Sequence, residues 1–371
     1  MTYADRPAQA LSQEEAFARI RLLRSPDIGP VSYSRLLRRF GSASHALEAL
    51  PDLPRSGGRT YSLAPFERVE REIAATRAAG ARYLFHDSPE YPASLRQIAG
   101  APAILTIRGD LALAARPCVA VVGARNASAA AVKLAREFGA ALAQADLTVV
   151  SGLARGIDGA AHQGAMPRTI GVIASGIDIA YPPQHEGLQE QIAREGLLIA
   201  EEPTGIGPRG NQFPRRNRII AGLARGTLVI EAAPRSGSLI TARLAGEAGR
   251  EVMAIPGSPL ESRSHGCNQL IREGAVLVQT PDDVIELLAS FDGRPRSTVQ
   301  DVADYPGDGM EEIGEEQTAE IRDLLTMAPI AVDELVRQSG ESTAAVQMTL
   351  LDLEMAGLLH RHAGGRVSLV R

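Results

Sequence analysis

Lysine is almost missing from this chain of 371 residues. Lys133 is the only one, so 38 of the 39 basic side chains (39 − 1) are arginine. A GC-rich genome accounts for most of that bias, yet it has a chemical consequence. A P-loop needs a Gly-Lys-Ser/Thr triplet, none occurs, and a Walker-type ATPase is excluded. Tryptophan is absent and aromatic residues make up only 4%, which leaves few platforms on which nucleobases could stack. The two cysteines, Cys118 and Cys267, lie too far apart in sequence to suggest a zinc knuckle and are too few for a disulfide framework. They read as reduced thiols of a cytoplasmic protein. The seven histidines follow no HExxH or other ligand spacing, so neither a metal nor a cofactor is expected. No apolar run approaches the length needed to span a membrane, and residues 1–15 are polar and acidic, without a signal core. No GxSxG nucleophile elbow appears either.

What is present begins with an apolar fraction of 44%, ample for buried cores, over a length that suits two or three domains. The net charge is −5, yet no Asp or Glu occurs from Thr204 to Ile230. Arg209, Arg215, Arg216, Arg218 and Arg225 all fall in that stretch. Guanidiniums fit phosphate oxygens in pairs, and Asn217 adds an amide that both donates and accepts. A solvated helix face is the plainer reading of a charge run. Here Phe213-Pro214 before the run and Ile219-Ile220 after it tie the run to a core, which favours a phosphate-backbone site.

Residues 1–78 read as short helices, one over 12–23 and another over 35–40. The string Asp27-Ile28-Gly29-Pro30-Val31 between them has the look of a helix-hairpin-helix, or simply of a packing domain. Over 79–291, β-branched apolar runs at 119–122, 147–150, 169–173, 197–199, 227–230, 252–255 and 275–278 alternate with amphipathic stretches such as 129–143 and 239–249. Near-continuous apolar strands alternating with helices mean a doubly wound, Rossmann-like and mostly parallel sheet covered on both faces. Residues 292–315, rich in Gly, Pro, Asp and Glu, read as a linker. Residues 316–371 then give helical patterns at 318–325, 331–338 and 343–357 and a hairpin at 360–370 around Gly364-Gly365, a winged-helix organisation.

In an open α/β sheet, ligands bind beyond the carboxyl ends of the strands. The residues there are Gly123-Ala124-Arg125, Ser151-Gly152-Leu153-Ala154-Arg155, Ser175-Gly176, Glu201-Glu202-Pro203, Glu231-Ala232 and Pro256-Gly257. Glycine lets a ligand approach backbone amides, although it also serves tight turns. Ser236-Gly237-Ser238 opens a helix, where its hydroxyls can cap the helix or seat a phosphate. With Arg125 and the 215–218 knot it would line one positive groove. A literal GxGxxG at Gly205–Gly210 opens no helix directly and is not read as a dinucleotide fingerprint. Glu231 reads as a structural carboxylate pairing with an arginine, in preference to a general base.

Several strings together resemble the DNA-processing protein A family. They are Val121-Val122-Gly123-Ala124-Arg125, Ser151 to Asp158 with Ala161-His162, Tyr181-Pro182, Phe213 to Leu223, Ser236 to Ala242, Pro256-Gly257 and Gly266 to Ile271. They cover roughly residues 80–290, and Ala124 stands where that family usually has Ser or Thr. The flanking segments resemble its sterile-alpha-motif-like and winged-helix domains by pattern. The resemblance implies an extended Rossmann-like fold and no enzymatic activity. It also implies a homodimer built through the Rossmann-like domain that binds single-stranded DNA without sequence preference, protects incoming DNA in natural transformation and helps load a RecA-type recombinase. It places DNA contacts on Arg125 and on Phe213, Arg215, Arg216, Asn217 and Arg218. Gly123, Ser151, Gly152, Arg155, Ser236, Gly237 and Ser238 complete the candidate site. Two other readings stay open: a nucleotide phosphoribohydrolase, whose Pro-Gly-Gly-x-Gly-Thr string this chain lacks, and an adaptor acting through the C-terminal unit.

Overall fold

The computed structural model describes residues 11–53 and 61–290. Beyond 320 it describes 321–322, 324–340, 346–347, 349–350, 353–354, 358–362 and 366–369. Two units are distinguished. The larger holds the described residues up to Pro208 and from Pro214 to 290, and the smaller holds Arg209–Phe213 with those beyond 320.

The N-terminal helices of the larger unit are α1 (Gln13–Leu23), α2 (Pro30–Phe40), α3 (Ala43–Ala49) and α4 (Phe66–Ala78). Ser12 caps α1 by accepting from Glu15 N–H, and the expected helix at 35–40 starts earlier, because Pro30 with its fixed φ suits the first helical position. Ala18, Ile20, Leu22, Tyr33, Leu36, Leu47 and Val69 bury their side chains together, and Ile104 of the sheet joins that core. Arg24 binds Glu72 at 2.9 Å with both side chains nearly sealed from water, which locks α1 to α4.

The sheet has nine strands: β1 (Arg82–Phe85), β2 (Ile104–Gly109), β3 (Cys118–Gly123), β4 (Thr148–Ser151), β5 (Thr169–Ile173), β6 (Leu197–Ala200), β7 (Gly226–Ile230), β8 (Glu251–Ala254) and β9 (Val276–Leu277). All seven expected runs are strands, and they pair in parallel. The additions are β1 and β2, which extend the sheet antiparallel from β6. The spatial order is β1-β2-β6-β5-β4-β3-β7-β8-β9. The chain therefore winds outward from β3 to β6, returns, and winds the other way from β7. The order reverses between β3 and β7, which is where such sheets form a ligand crevice.

Helices cover both faces. On one, α6 (Ala129–Gln144), α7 (Ile157–Ala165) and α12 (Pro281–Ala289) bury Phe138, Leu142, Ile157, Ala161 and Leu288. On the other, α9 (Gln212–Leu223), α10 (Gly237–Glu247) and α11 (His265–Arg272) contribute Ile219, Ile220, Ala242 and Leu270. The short α5 (Ala93–Arg96) and α8 (Glu186–Glu195) complete this unit. The α6–α7 contact is set by glycine, since a Cβ on Gly164 would lie 2.1 Å from the Arg136 carbonyl oxygen.

In the smaller unit, α13 (Val332–Ser339) and a three-stranded sheet of β10 (Ile330–Ala331), β11 (Leu359–His362) and β12 (Arg366–Leu369) pack around Leu335, Val346, Leu350 and Val367. This is a winged helix. The expected linker at 292–315, Gly364-Gly365 and much of the helix expected at 343–357 lie outside the described residues.

Candidate nucleic-acid interface

The loops after β3, β4 and β7 are tied to one another before any side chain is considered. Ala124 N–H donates to Glu231 O at 2.7 Å, and Ile157 N–H donates to Ala124 O at 3.3 Å. Gly156 passes so close that a Cβ there would sit 2.3 Å from Ala124 O, and its φ of +73° excludes most side chains anyway. Leu153, Glu231 and Arg235 hold φ of 57°, 52° and 68°. Such conformations cost a non-glycine residue of order 1 kcal/mol each, and they concentrate at functional sites.

Three arginines stand at this edge with solvent access. Arg125 follows β3, Arg155 follows β4, and both are exposed, while Arg215 in the first turn of α9 is half-buried. Arg235, exposed in the turn before α10, makes a fourth, and the sequence reading overlooked it. The signal was present, because Arg235 immediately precedes Ser236-Gly237-Ser238. Asn217 Nδ2 donates to Gly237 O at 3.3 Å and joins α9 to α10 beneath them. Ser236 caps α10, and its Oγ lies 2.8 Å from that of Ser238.

Other members of the expected set lie behind this surface, and here the reading of an open guanidinium knot is corrected. Arg216 is 6% exposed. Its Nη1 donates to Val172 O in the body of the sheet, and it fills the space where Gly152 has no side chain. Asp158, also buried, accepts from Gly152 N–H at 3.1 Å and Ala154 N–H at 3.4 Å. Burial pushes the Asp158 carboxyl up, with Arg216 and those amides opposing. Burial pulls Arg216 down to about 10 although Asp158 favours its charge. Ser151 is sealed, its Oγ donating to Val121 O at 2.6 Å, so its hydroxyl serves the sheet. Gly123 is required by the sheet itself, since a Cβ there would lie 2.0 Å from Ile230 O. Arg218 is held by both oxygens of Glu201, at 2.6 and 2.7 Å. Phe213 belongs to the smaller unit.

The carboxylates beside the exposed arginines are engaged. Glu231, expected to pair with an arginine, accepts instead from Ser128 N–H at 2.8 Å and Ser128 Oγ at 2.6 Å. His162, in α7 below the loop, is a neutral structural residue. Its Nε2 accepts from Leu153 N–H at 3.3 Å, and its Nδ1 lies 2.7 Å from Thr169 Oγ1, which donates to Val149 O. Burial, reinforced by nearby His185, lowers its pKa to about 3. The arrangement is a shelf of interlocked strand-end loops whose amides and hydroxyls are spent on holding it together, rimmed by exposed arginines and carried on a buried Asp158–Arg216 layer. That suits a polyanion held by its phosphates.

The model of the DNA recombination-mediator protein A family matches residues 82–289. A DprA-like N-terminal HHH domain matches 13–75, and a DprA winged helix domain matches 310–365. A relative named Protein Smf, from Synechocystis, is 33% identical over 385 residues, covering 91% of this chain and 95% of its own. The DNA processing protein DprA of Streptococcus pneumoniae is 47% identical over 198 residues, covering 53% of this chain and 70% of its own. An X-ray structure of that protein superposes with a TM-score of 0.57 at 39% identity, over 67% of this chain and 82% of the other. A structure of DNA processing protein A from Helicobacter pylori, described by its single-stranded DNA binding mode, superposes with a TM-score of 0.52 at 28% identity, over 57% of this chain and 97% of the other.

Proposed function

The chain belongs to the DNA recombination-mediator protein A family, and we propose that it binds single-stranded DNA by its phosphate backbone, without regard to base sequence, at the carboxyl edge of the large sheet. One observation carries this reading. Arg125, after β3 where the strand order reverses, and Arg155, after neighbouring β4, stand exposed, and Arg215 lies in the first turn of α9, next to the Arg216 that fills the space over Gly152. The adjacent carboxylates are occupied by Ser128, by Arg218 and by the amides of Gly152 and Ala154. The scarcity of aromatic residues favours backbone contact over base stacking. Arg125, Arg155 and Arg215 take phosphates, with Asn217, Ser236 and Gly237 as further contacts. Gly123, Ser151, Gly152, Arg216, Arg218 and Ser238 shape the shelf.

The cellular role proposed with it is protection of incoming DNA and loading of a RecA-type recombinase in transformation. The protein would act in the cytoplasm, as a homodimer joined through the sheet domain, without catalysis or cofactor. The domains are taken as 1–78, 79–291 and 316–371 with a linker at 292–315.

Equilibrium binding of a fluorescent oligo-dT across a salt series tests the binding. Affinity should fall with salt, and Arg125→Ala and Arg215→Ala should each flatten the slope of log K against log salt by about 0.7, the counterion share of one single-strand phosphate contact. A folded wild type that binds no oligonucleotide would end the reading and turn attention to nucleotides as ligands.

A further inference from the structure

A second group of arginines meets a cleft away from the crevice. Between α4 and the loop after β6 lies a cavity of about 380 Å³, lined by Arg68, Arg71 and Glu72 on one side and by Pro203, Thr204 and Ile206 on the other. Arg68, Arg71, Glu72 and Ala75 fall at i, i+3, i+4 and i+7, one face of the helix, and both arginines are exposed. Glu67 and Glu70 of the same helix are not part of the lining. Arg71 Nε donates to a main-chain oxygen, that of Glu67, at 3.2 Å.

The one carboxylate in the lining is already neutralised. Glu72 accepts from Arg24 Nη2 at 2.9 Å and Nε at 3.0 Å, and from Tyr83 OH at 3.1 Å. Thr204 Oγ1 lies 2.6 Å from Thr76 Oγ1 and anchors the loop to α4. Of the acids on the loop side, Asp178 accepts from Gly205 N–H at 2.9 Å, and half-buried Glu202 precedes Pro203. The cleft thus offers two guanidiniums to an anion and presents no uncommitted carboxylate from its own lining.

Its position identifies the anion. Thr204 follows β6, and β6 is separated from β3 by β5 and β4, so the cleft opens on the same carboxyl edge as the proposed groove. Three strand spacings of about 4.8 Å put the two places on the order of 15 Å apart, a few nucleotides of single strand. The Arg218–Glu201 pair joins α9 to the end of β6 between them. We propose that this cleft is a second phosphate subsite, taking the backbone of the same strand where it leaves the groove. The proposal rests on the groove reading above.

Binding of the full chain to oligo-dT of about three and about twenty-five nucleotides, one shorter and one longer than common single-strand site sizes of about 4–16, tests it with wild type, Arg68→Ala/Arg71→Ala and Arg215→Ala. The double variant should keep wild-type affinity for the short strand. On the long strand it should bind several-fold more weakly, with a salt slope flatter by about 1.4, two contacts at about 0.7 each. Arg68→Glu/Arg71→Glu should deepen the loss. Unchanged binding of the long strand would overturn the subsite. Equal losses on both lengths would overturn the continuation of the path. Inorganic phosphate that raises the melting temperature of wild type but not of the double variant, with long-strand binding intact, would assign the cleft to a free phosphate instead. Arg215→Ala is the separate control: if it binds both lengths like wild type, the groove reading fails, whatever the cleft does.

Discussion

Gly152→Ala should be among the most damaging small substitutions in the sheet domain, for a reason that lies in one neighbour. Gly152 does not have a positive φ, so alanine suits its backbone. The added Cβ, however, would lie 2.1 Å from Arg216 Nη1 and 2.6 Å from Cζ, against about 3.4 Å for ordinary contact. A guanidinium could swing aside at a surface, but this one is buried and bonded to Val172 O. Expelling it forfeits a charged hydrogen bond worth roughly 1.5–3 kcal/mol, and accommodating the methyl without expulsion costs roughly 1–3 kcal/mol of overpacking. We expect a loss of about 3 kcal/mol in urea unfolding followed by circular dichroism. In an Arg216→Ala background the clash vanishes, and Gly152→Ala should become neutral or slightly stabilising through the stiffer unfolded chain. The cycle should therefore show a coupling of about 2 kcal/mol or more. Equal costs in the two backgrounds would refute the reasoning, since the damage would then have a source other than Arg216.

Three further outcomes follow from the same kind of reading. Gly164→Ala meets a main-chain oxygen, that of Arg136, which cannot swing away, so α6 and α7 must part and the urea midpoint should drop by the equivalent of about 2 kcal/mol. Arg218→Ala strands Glu201, whose side chain is 14% exposed, and should cost about 3 kcal/mol, whereas Arg218→Met with Glu201→Leu should recover most of the melting temperature. His162 is neutral in the folded protein down to a pKa of about 3, against 6.5 unfolded. The unfolded chain therefore takes up a proton first, and stability is lost as pH falls below about 6.5. At pH 5 the loss is about 2 kcal/mol. His162→Gln should flatten that decline relative to wild type, and identical pH profiles would show that the ring does not titrate as argued. Asp158 acts with the opposite sign, because burial raises its carboxyl, but it is common to both proteins.

Six of the seven parallel strands, β3 to β8, were legible because they are buried along their whole length, and burial on both faces leaves a continuous apolar run in the sequence. β9 is an edge strand, and its run was legible through buried Ala275 and Val278 on either side of it. β1 was not, because only Leu84 of its four residues is buried and its pattern is that of an edge. Two-residue β10 is too short to carry a pattern. At the site, glycines at strand ends and arginines near Pro214 were visible as residue types. Their division of labour was not visible, because the groups that decide it come from elsewhere in the chain. No acid lies between Thr204 and Ile230, yet Arg218 meets Glu201 just before that stretch and Arg216 lies in the field of Asp158 on α7. Local charge is readable along a sequence, whereas a partner supplied by the fold is not.

That division also bears on the near-absence of lysine. At Arg125, Arg155 and Arg215, where water reaches the side chain, an ammonium would hold a phosphate too, though as a point charge and without the paired geometry. At position 216 the choice is not open. Burial lowers the pKa there to about 10 even for a guanidinium. A lysine starts some two units lower, near 10.4, and the same burial would bring it towards neutrality at working pH. Lysine also lacks the planar fork that fills the slot over Gly152 while reaching Val172 O. Without a charge there, Asp158 would keep its two amide donors but lose the cation that offsets its burial, and its carboxyl would rise further. At this position burial and shape demand an arginine. Arg216→Lys is for that reason a substitution of function, and the shelf should fail with it even though the formal charge of the sequence is unchanged.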